Sequence, residues 1–334
     1  MNKITVLLVS IFCAIQICAQ DSLPYKRYND KIVLSVDFGI PGAPFLLDVP
    51  TATKSSYRLK YITNVKTVVG FGINYKWFSA RLGVSSRDYL YSVSGYGTSN
   101  YYDFGFDFTH KNMFFDVDFH NYQGYGIQNA SKFADTGLSV KGSILKPGTS
   151  TASFSSNMWY FFNRHIKMSA MKGKTARYTE NCGSFFIKGT FNLHGVADNG
   201  GIIPVELRIP EQSRTYSALF YSWDFGAIPG YAYVYHKNGF QAAAIGGAGF
   251  VLQAKAYQYD ANQHAFAGLA PRLDFKLMMS YNKERWFTSF AADFDRKSIK
   301  FGYLGYKQTF YYIKFAYGYR FNKKQKVKKE KKRN

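Results

Sequence analysis

The segment that most constrains what this 334-residue chain can fold into is residues 310–321, which read FYYIKFAYGYRF. Tyr311, Ile313, Phe315, Tyr317, Tyr319 and Phe321 fall on one face of an extended strand, and Lys314, Ala316, Gly318 and Arg320 on the other. Period two is the mark of a strand, because successive side chains point to opposite sides. A helix would repeat its apolar positions at three and four. An unbroken aromatic and aliphatic face opposite a polar one fits a strand with lipid on one side and a lumen on the other.

Other segments repeat the pattern. In 101–110, Tyr102, Phe104, Phe106 and Phe108 alternate with Asp103, Gly105, Asp107 and Thr109. In 272–282, Leu273, Phe275, Leu277, Met279 and Tyr281 alternate with Arg272, Asp274, Lys276, Met278, Ser280 and Asn282. Segments 32–38, 78–86, 113–120, 185–194 and 286–295 behave alike. A soluble β-sandwich also alternates, but its buried face prefers aliphatic residues. Here aromatics make up 19% of the chain, with 28 Tyr and 31 Phe, as suits the aromatic girdles of a membrane barrel. The expected fold is an all-β, transmembrane, antiparallel up-and-down β-barrel. Tyr317, Tyr319 and Phe321 have the form of the terminal signal that barrel-assembly machinery reads, although the chain continues for 13 residues.

The start of the chain reads as an export signal. Lys3 precedes an apolar run from Ile4 to Ile17, and Gln20 ends a plausible cleavage site. Cys13 and Cys18 lie within it, which leaves Cys182 alone and excludes an intramolecular disulfide or cysteine metal cluster. After residue 20 no run approaches the length of a helical span. The expected divisions are a signal peptide at 1–20, a periplasmic segment at 21–30, a barrel at 31–321 and a basic periplasmic tail at 322–334. The expected location is the outer membrane of a Gram-negative bacterium.

The net charge is +22. The tail carries eight Lys/Arg against one Glu, so the barrel and its loops keep about +14 without Lys3. Export argues against nucleic acid as a partner. Outer-membrane lipids and anionic lipopolysaccharide are the expected contacts, and the tail suits an anionic periplasmic partner. No cofactor or metal site is expected.

Short turns belong on the periplasmic side of such a barrel and long loops outside. Five candidate turns are Lys76-Trp77, Lys111-Asn112, a turn around Arg164-His165, Asn238-Gly239 and Lys283-Glu284. Asn-Gly is a strong hairpin signal. With strand 1 at 31–39 and strand 2 ending at Tyr75, they imply twelve strands. Outer loops are expected at 87–99, 123–154 and 257–265. Region 164–236 holds two long strands or four shorter ones, the latter giving fourteen. Residues 195–213, with Pro204 and Pro210, are a loop on either count.

Five pieces in order, FNRHIKMSA at 162–170, CGSFF at 182–186, PGYAYVY at 229–235, YNKERWF at 281–287 and GYRF at 318–321, resemble a Bacteroidota outer-membrane barrel family known as domain of unknown function 4421. Asn181-Cys182 stands where Ser-Ala is expected. The resemblance implies fold and location, and no chemistry.

The candidate site is a lumen cluster. If Lys111-Asn112 is a two-residue turn, Asp107 faces Asp116 and Asp103 faces His120, with Asp118 one step further round. Directly opposed carboxylates need a cation, a shared proton or a basic neighbour, and Arg81 on the preceding strand is the candidate. This points to a charged constriction or a cation site, set against the plainer reading that polar ladders fill narrow lumens. The expected function is a small pore or solute-uptake barrel, with a non-conducting scaffold that binds partners through loops and tail as the alternative. An enzyme is the weakest reading: only His264 falls near the outer rim, and no Ser/His spacing suggests a hydrolase.

Overall fold

A computed structural model describes residues 23–322 except 29, 51–55, 66, 86–96, 137–143 and 260–261. The expected signal peptide, nearly all of the basic tail and most of the loop at 87–99 lie outside the described residues.

Twelve antiparallel strands form a closed ring. They are β2 (Lys31–Gly42), β5 (Val68–Tyr75), β6 (Phe78–Ser85), β7 (Asn100–His110), β8 (Met113–Ile127), β9 (Ile144–Phe161), β11 (Cys182–Ala197), β12 (Leu219–Lys237), β13 (Phe240–Tyr259), β14 (Asn262–Asn282), β15 (Trp286–Phe301) and β16 (Leu304–Asn322). The ring closes where β16 pairs with β2, from Asn322 opposite Lys31 to Tyr311 opposite Gly42. β3 (Phe45–Pro50) continues β2 along β16 in the same register beyond Pro44. β4 (Ser56–Ile62) folds back on β3 and reaches β8 through Tyr61 opposite Ile127. These two bring the sheet to fourteen strands. β1 (Tyr25–Arg27) and β10 (Ala176–Tyr178) form a separate small ribbon.

Period two dictates the wall. On β2, Ile32, Leu34, Val36, Phe38 and Ile40 expose 36–53% of their surface, while Val33, Ser35 and Asp37 between them are buried. The outward residues of β16, Tyr311 to Phe321, form the same kind of face. A contiguous apolar exterior of this extent is stable in lipid rather than in water. Strands β9 and β11 to β16 run 16–21 residues, against the roughly 9–11 that cross a bilayer. They therefore rise past the membrane on the loop side.

The turn end matches the sequence reading at four of five places. Tyr75 pairs with Phe78, His110 with Met113 and Lys237 with Phe240, as expected, while the fourth turn centres one residue later than Lys283-Glu284, on Glu284-Arg285, with Asn282 opposite Phe287. The fifth is a correction: a turn does sit at Arg164-His165, with Ile166 N donating to Asn163 O at 3.1 Å, but it does not join the two ring strands. Residues 162–181 form an inserted segment with one helical turn, α1 (Met168–Met171), and β10. Its apolar side chains Ile166, Met168, Ala170, Met171 and Tyr178 turn into the barrel, which a surface turn would not do.

The loop end also differs. β8 and β9 extend to Ile127 and from Ile144, so the loop expected at 123–154 shrinks to 128–143. That at 257–265 shrinks to 260–261, and that at 195–213 shifts to 198–218. Strand 1 runs to Gly42 rather than residue 39. Region 164–236 resolves into two long strands, β11 and β12, which fixes the ring at twelve.

Candidate functional site

Two apolar stoppers close the barrel interior. At the loop end, Phe45 and Leu47 of β3, Leu59 and Tyr61 of β4, Tyr125 of β8 and Ile202-Ile203 of the 198–218 loop pack into one buried cluster. Phe45 stacks on Tyr61 with ring centroids 4.3 Å apart, and the Tyr61 hydroxyl donates to Ile202 O at 2.6 Å. At the turn end, the 162–181 insertion packs against Trp159 and Phe186. Its backbone carbonyls are held from the wall. Gln241 Nε2 donates to Ala170 O and Met171 O at 2.7 and 3.0 Å. Arg320 donates to Gly173 O and Lys174 O at 2.7 and 2.8 Å.

Between the stoppers lies a chamber of about 220 Å³. Arg81, Asp103, Asp107, Asp116, Asp118 and His120, the residues selected from sequence, all line it. The pairing is as expected, with Asp107 opposite Asp116, Asp103 opposite His120 and Phe108 opposite Phe115. The neighbours of the acids are not. Arg81 does not serve the Asp107–Asp116 pair: it forms a fork with Asp37 at 2.6 and 2.7 Å and also binds Asp103. Asp107 is bound instead by Lys172 at 2.6 Å, a residue of the turn-side stopper. Asp116 accepts from Trp159 Nε1 at 2.5 Å and Asn157 Nδ2 at 2.9 Å. Opposed carboxylates are thus separately satisfied, one by a cation and one by neutral donors.

The far wall of the chamber was missed. Lys188 meets Asp274 at 2.7 Å, Lys276 and Lys314 lie 3.5 and 3.6 Å from Asp293, and Lys297 lies 3.4 Å from Asp295. Parity alone placed the β14 residues in the lumen. Nothing local in the sequence says that β14, β15 and β16 curl round to face β7 and β8. In all, eight aspartates meet six lysines and Arg81 around the space. The lining is close to balanced rather than acidic. Asp293 and Asp295 keep about a third of their side-chain surface exposed, 32% and 31%, while lining the interior. That exposed surface is the chamber wall. Lys174, on the inserted segment, also lines the chamber, and burial pushes its ammonium down to about 8.

Among the described residues no group of His, Cys, Asp and Glu is arranged to hold a metal ion. One constellation has the residue types of hydrolytic chemistry. Ser222 Oγ donates to Asp224 at 2.6 Å, and His194 Nδ1 lies 3.7 Å from the same carboxylate. All three are fully buried, and Arg272 holds Asp224 at 2.6 Å. Ser222 therefore faces a carboxylate rather than a histidine base, in a place without access for substrate. His264 lies at the loop end of β14, stacked on Tyr257. Tyr317, Tyr319 and Phe321, expected from sequence to form an assembly signal, stand on the outer face of β16.

The closed ring, the apolar exterior and the charged interior define a membrane-spanning β-barrel with an occluded lumen. A family model described as a domain of unknown function (DUF4421) matches residues 19–321, and the chain belongs to that family. No curated protein matches the sequence. Similar solved structures include the outer membrane protease OmpT from Escherichia coli, with 8% identity and a TM-score of 0.42 over 90% of this chain and 99% of that one. The COG4313 outer membrane channel from Pseudomonas putida F1 shows 10% identity and a TM-score of 0.36 over 91% and 100%. The toluene transporter TodX from Pseudomonas putida shows 8% and 0.28 over 88% and 90%. These likenesses are too distant to carry an activity across.

Proposed function

We propose that this protein is an outer-membrane uptake barrel, closed in the state described here, that passes small ionic solutes through its chamber. The observation that carries this reading is the chamber itself. A barrel kept only as a scaffold can fill its lumen with side chains. Here an open space lined by both charges is retained between two separate stoppers. Balanced charges favour solutes that carry both signs, since each end of the solute then meets a partner. The outer-membrane location rests on the barrel class and the leader-like start of the chain. Clustering of the tight turns with both barrel termini supports a periplasmic position for that end.

The test uses the full signal-free chain in proteoliposomes, with glycine, glutamate and lysine as zwitterionic, anionic and cationic probes. Uptake above that of empty vesicles, fastest for glycine, is the expected result. Asp116→Asn with Asp118→Asn should shift the preference towards glutamate, because two negative charges leave a balanced lining. A folded, heat-modifiable barrel that passes none of the three and is silent in a planar bilayer would overturn the reading. The sealed ends would then favour the second reading, a non-conducting scaffold that offers its outer loops and basic tail to partners.

A further inference from the structure

The ring is not zipped over its whole height. The β14–β15 ladder runs from Asn282 opposite Phe287 to Leu273 opposite Arg296 and stops there. Above it, residues 262–272 of β14 pair only with β13, and residues 297–301 of β15 only with β16. Pro271, which has no N–H to give to a ladder, stands just past the break. Side chains take up part of what the lost ladder leaves. Gln253 Nε2 donates to Ser298 O at 2.8 Å, and Arg272 Nη1 to Arg296 O at 3.4 Å. The loop-end arm of β14 is exposed on both faces, with Leu269 at 70% and Phe266 at 48%. An open strand edge on a barrel is a liability that needs a cover.

The surroundings identify that cover. Phe225, Leu252 and Leu269 lie in one row across β12, β13 and β14, all strongly exposed, at the upper part of the apolar belt. Arg296 closes the last rung opposite Leu273, which is 52% exposed on the same outward face, and Lys300 stands four residues further on the same parity of β15. Both cations are exposed at the seam. Neither has an ion-pair partner among the described residues, although the lumen cations below them are mostly paired. An outward apolar row beside unpaired outward cations matches a lipid at the headgroup level: acyl chain against Leu252 and Leu269, phosphate against Arg296 and Lys300.

We propose that the β14–β15 seam is a binding site for the phosphate groups of an outer-leaflet glycolipid, which covers the open strand edge. The proposal rests on the outer-membrane orientation argued above and is independent of solute uptake.

The probe is diphosphoryl lipid A in neutral detergent micelles, titrated against the full signal-free chain and followed by native mass spectrometry. Saturable binding of one lipid A is expected. The variant Arg296→Gln/Lys300→Gln should weaken it by roughly tenfold or more, since each near-surface cation contributes about 1 kcal/mol. Pro271→Val, which keeps both cations but allows the ladder to extend, should also weaken it. Lipid A stripped of phosphate should bind poorly, and millimolar inorganic phosphate should not displace the intact lipid. Heat-modifiability confirms folding of each variant. Equal binding by the double variant, or displacement by inorganic phosphate, would overturn the proposal. Loss of lipid binding with glycine uptake unchanged would support the site and leave the uptake reading standing.

Discussion

Arg81 shows how closely the interior depends on single side chains. Its guanidinium forks onto Asp37 from β2 and reaches Asp103 on β7, joining three strands. Arg81→Met leaves two buried carboxylates without their cation. Breaking a buried pair from one side costs about 3–5 kcal/mol, so the urea midpoint of the refolded barrel in vesicles should fall by that measure. Arg81→Lys should recover only part of the loss, because an ammonium lacks the fork. An unchanged midpoint for Arg81→Met would mean that water in the chamber replaces the arginine. At this scale the sequence was partly legible. The parity of Asp103, Asp107, Asp116 and Asp118 followed from a two-residue turn. The partners Lys172, Asp37 and Asn157 did not, because Lys172 comes from a stopper, Asp37 from β2 two strands away, and Asn157 from a strand whose register follows a long connection rather than a tight turn.

The elements carry their own strain and their own signals. The hairpin at Asn238-Gly239 has both residues in the left-handed region, φ 50° and 84°, where Asn and Gly sit at low cost. Lys76 and Lys111 occupy the same region at 52° and 49° with a full side chain. Left-handed backbone costs an ordinary residue roughly 1–2 kcal/mol. Lys76→Gly and Lys111→Gly should therefore each raise stability by about 1 kcal/mol, less some entropy lost from the more flexible unfolded chain. Urea unfolding checks this; a drop in midpoint for both would show that the lysines contribute more at the interface than their backbone costs. Gly318 belongs to the same scale. A Cβ there would meet the ring of buried Phe287, so Gly318→Val should impair assembly of the closing strand, read as loss of the heat-modifiable band. The tight turns were legible because local chemistry fixes a hairpin. The 162–181 insertion was not, since its apolar residues could be recognised as a stopper only once a lumen existed to receive them.

At the scale of the whole molecule, the seating of that insertion should respond to pH. Lys174 lines the chamber with Lys172 and Lys314 repelling it and Asp107 and Asp37 attracting it, and burial brings it down from an ordinary 10.5 to about 8. Below about pH 8 the ammonium is charged whether the segment is seated or released, and the full burial penalty opposes seating. Between about 8 and 10.5 the released segment binds a proton that the seated one does not, so seating strengthens as pH rises. Falling pH through that window should loosen the stopper. Lys174→Met removes the charge and with it the dependence. The measurement is the rate at which a protease cuts within 162–181, taken as the ratio of parent to Lys174→Met at each pH so that the protease's own profile cancels. The ratio should exceed one near pH 7.5 and approach one near pH 10.5. A flat ratio would mean that the seat is held by the Arg320 and Gln241 contacts to its carbonyls rather than by charge, and that the chamber charge has no part in closing the turn end.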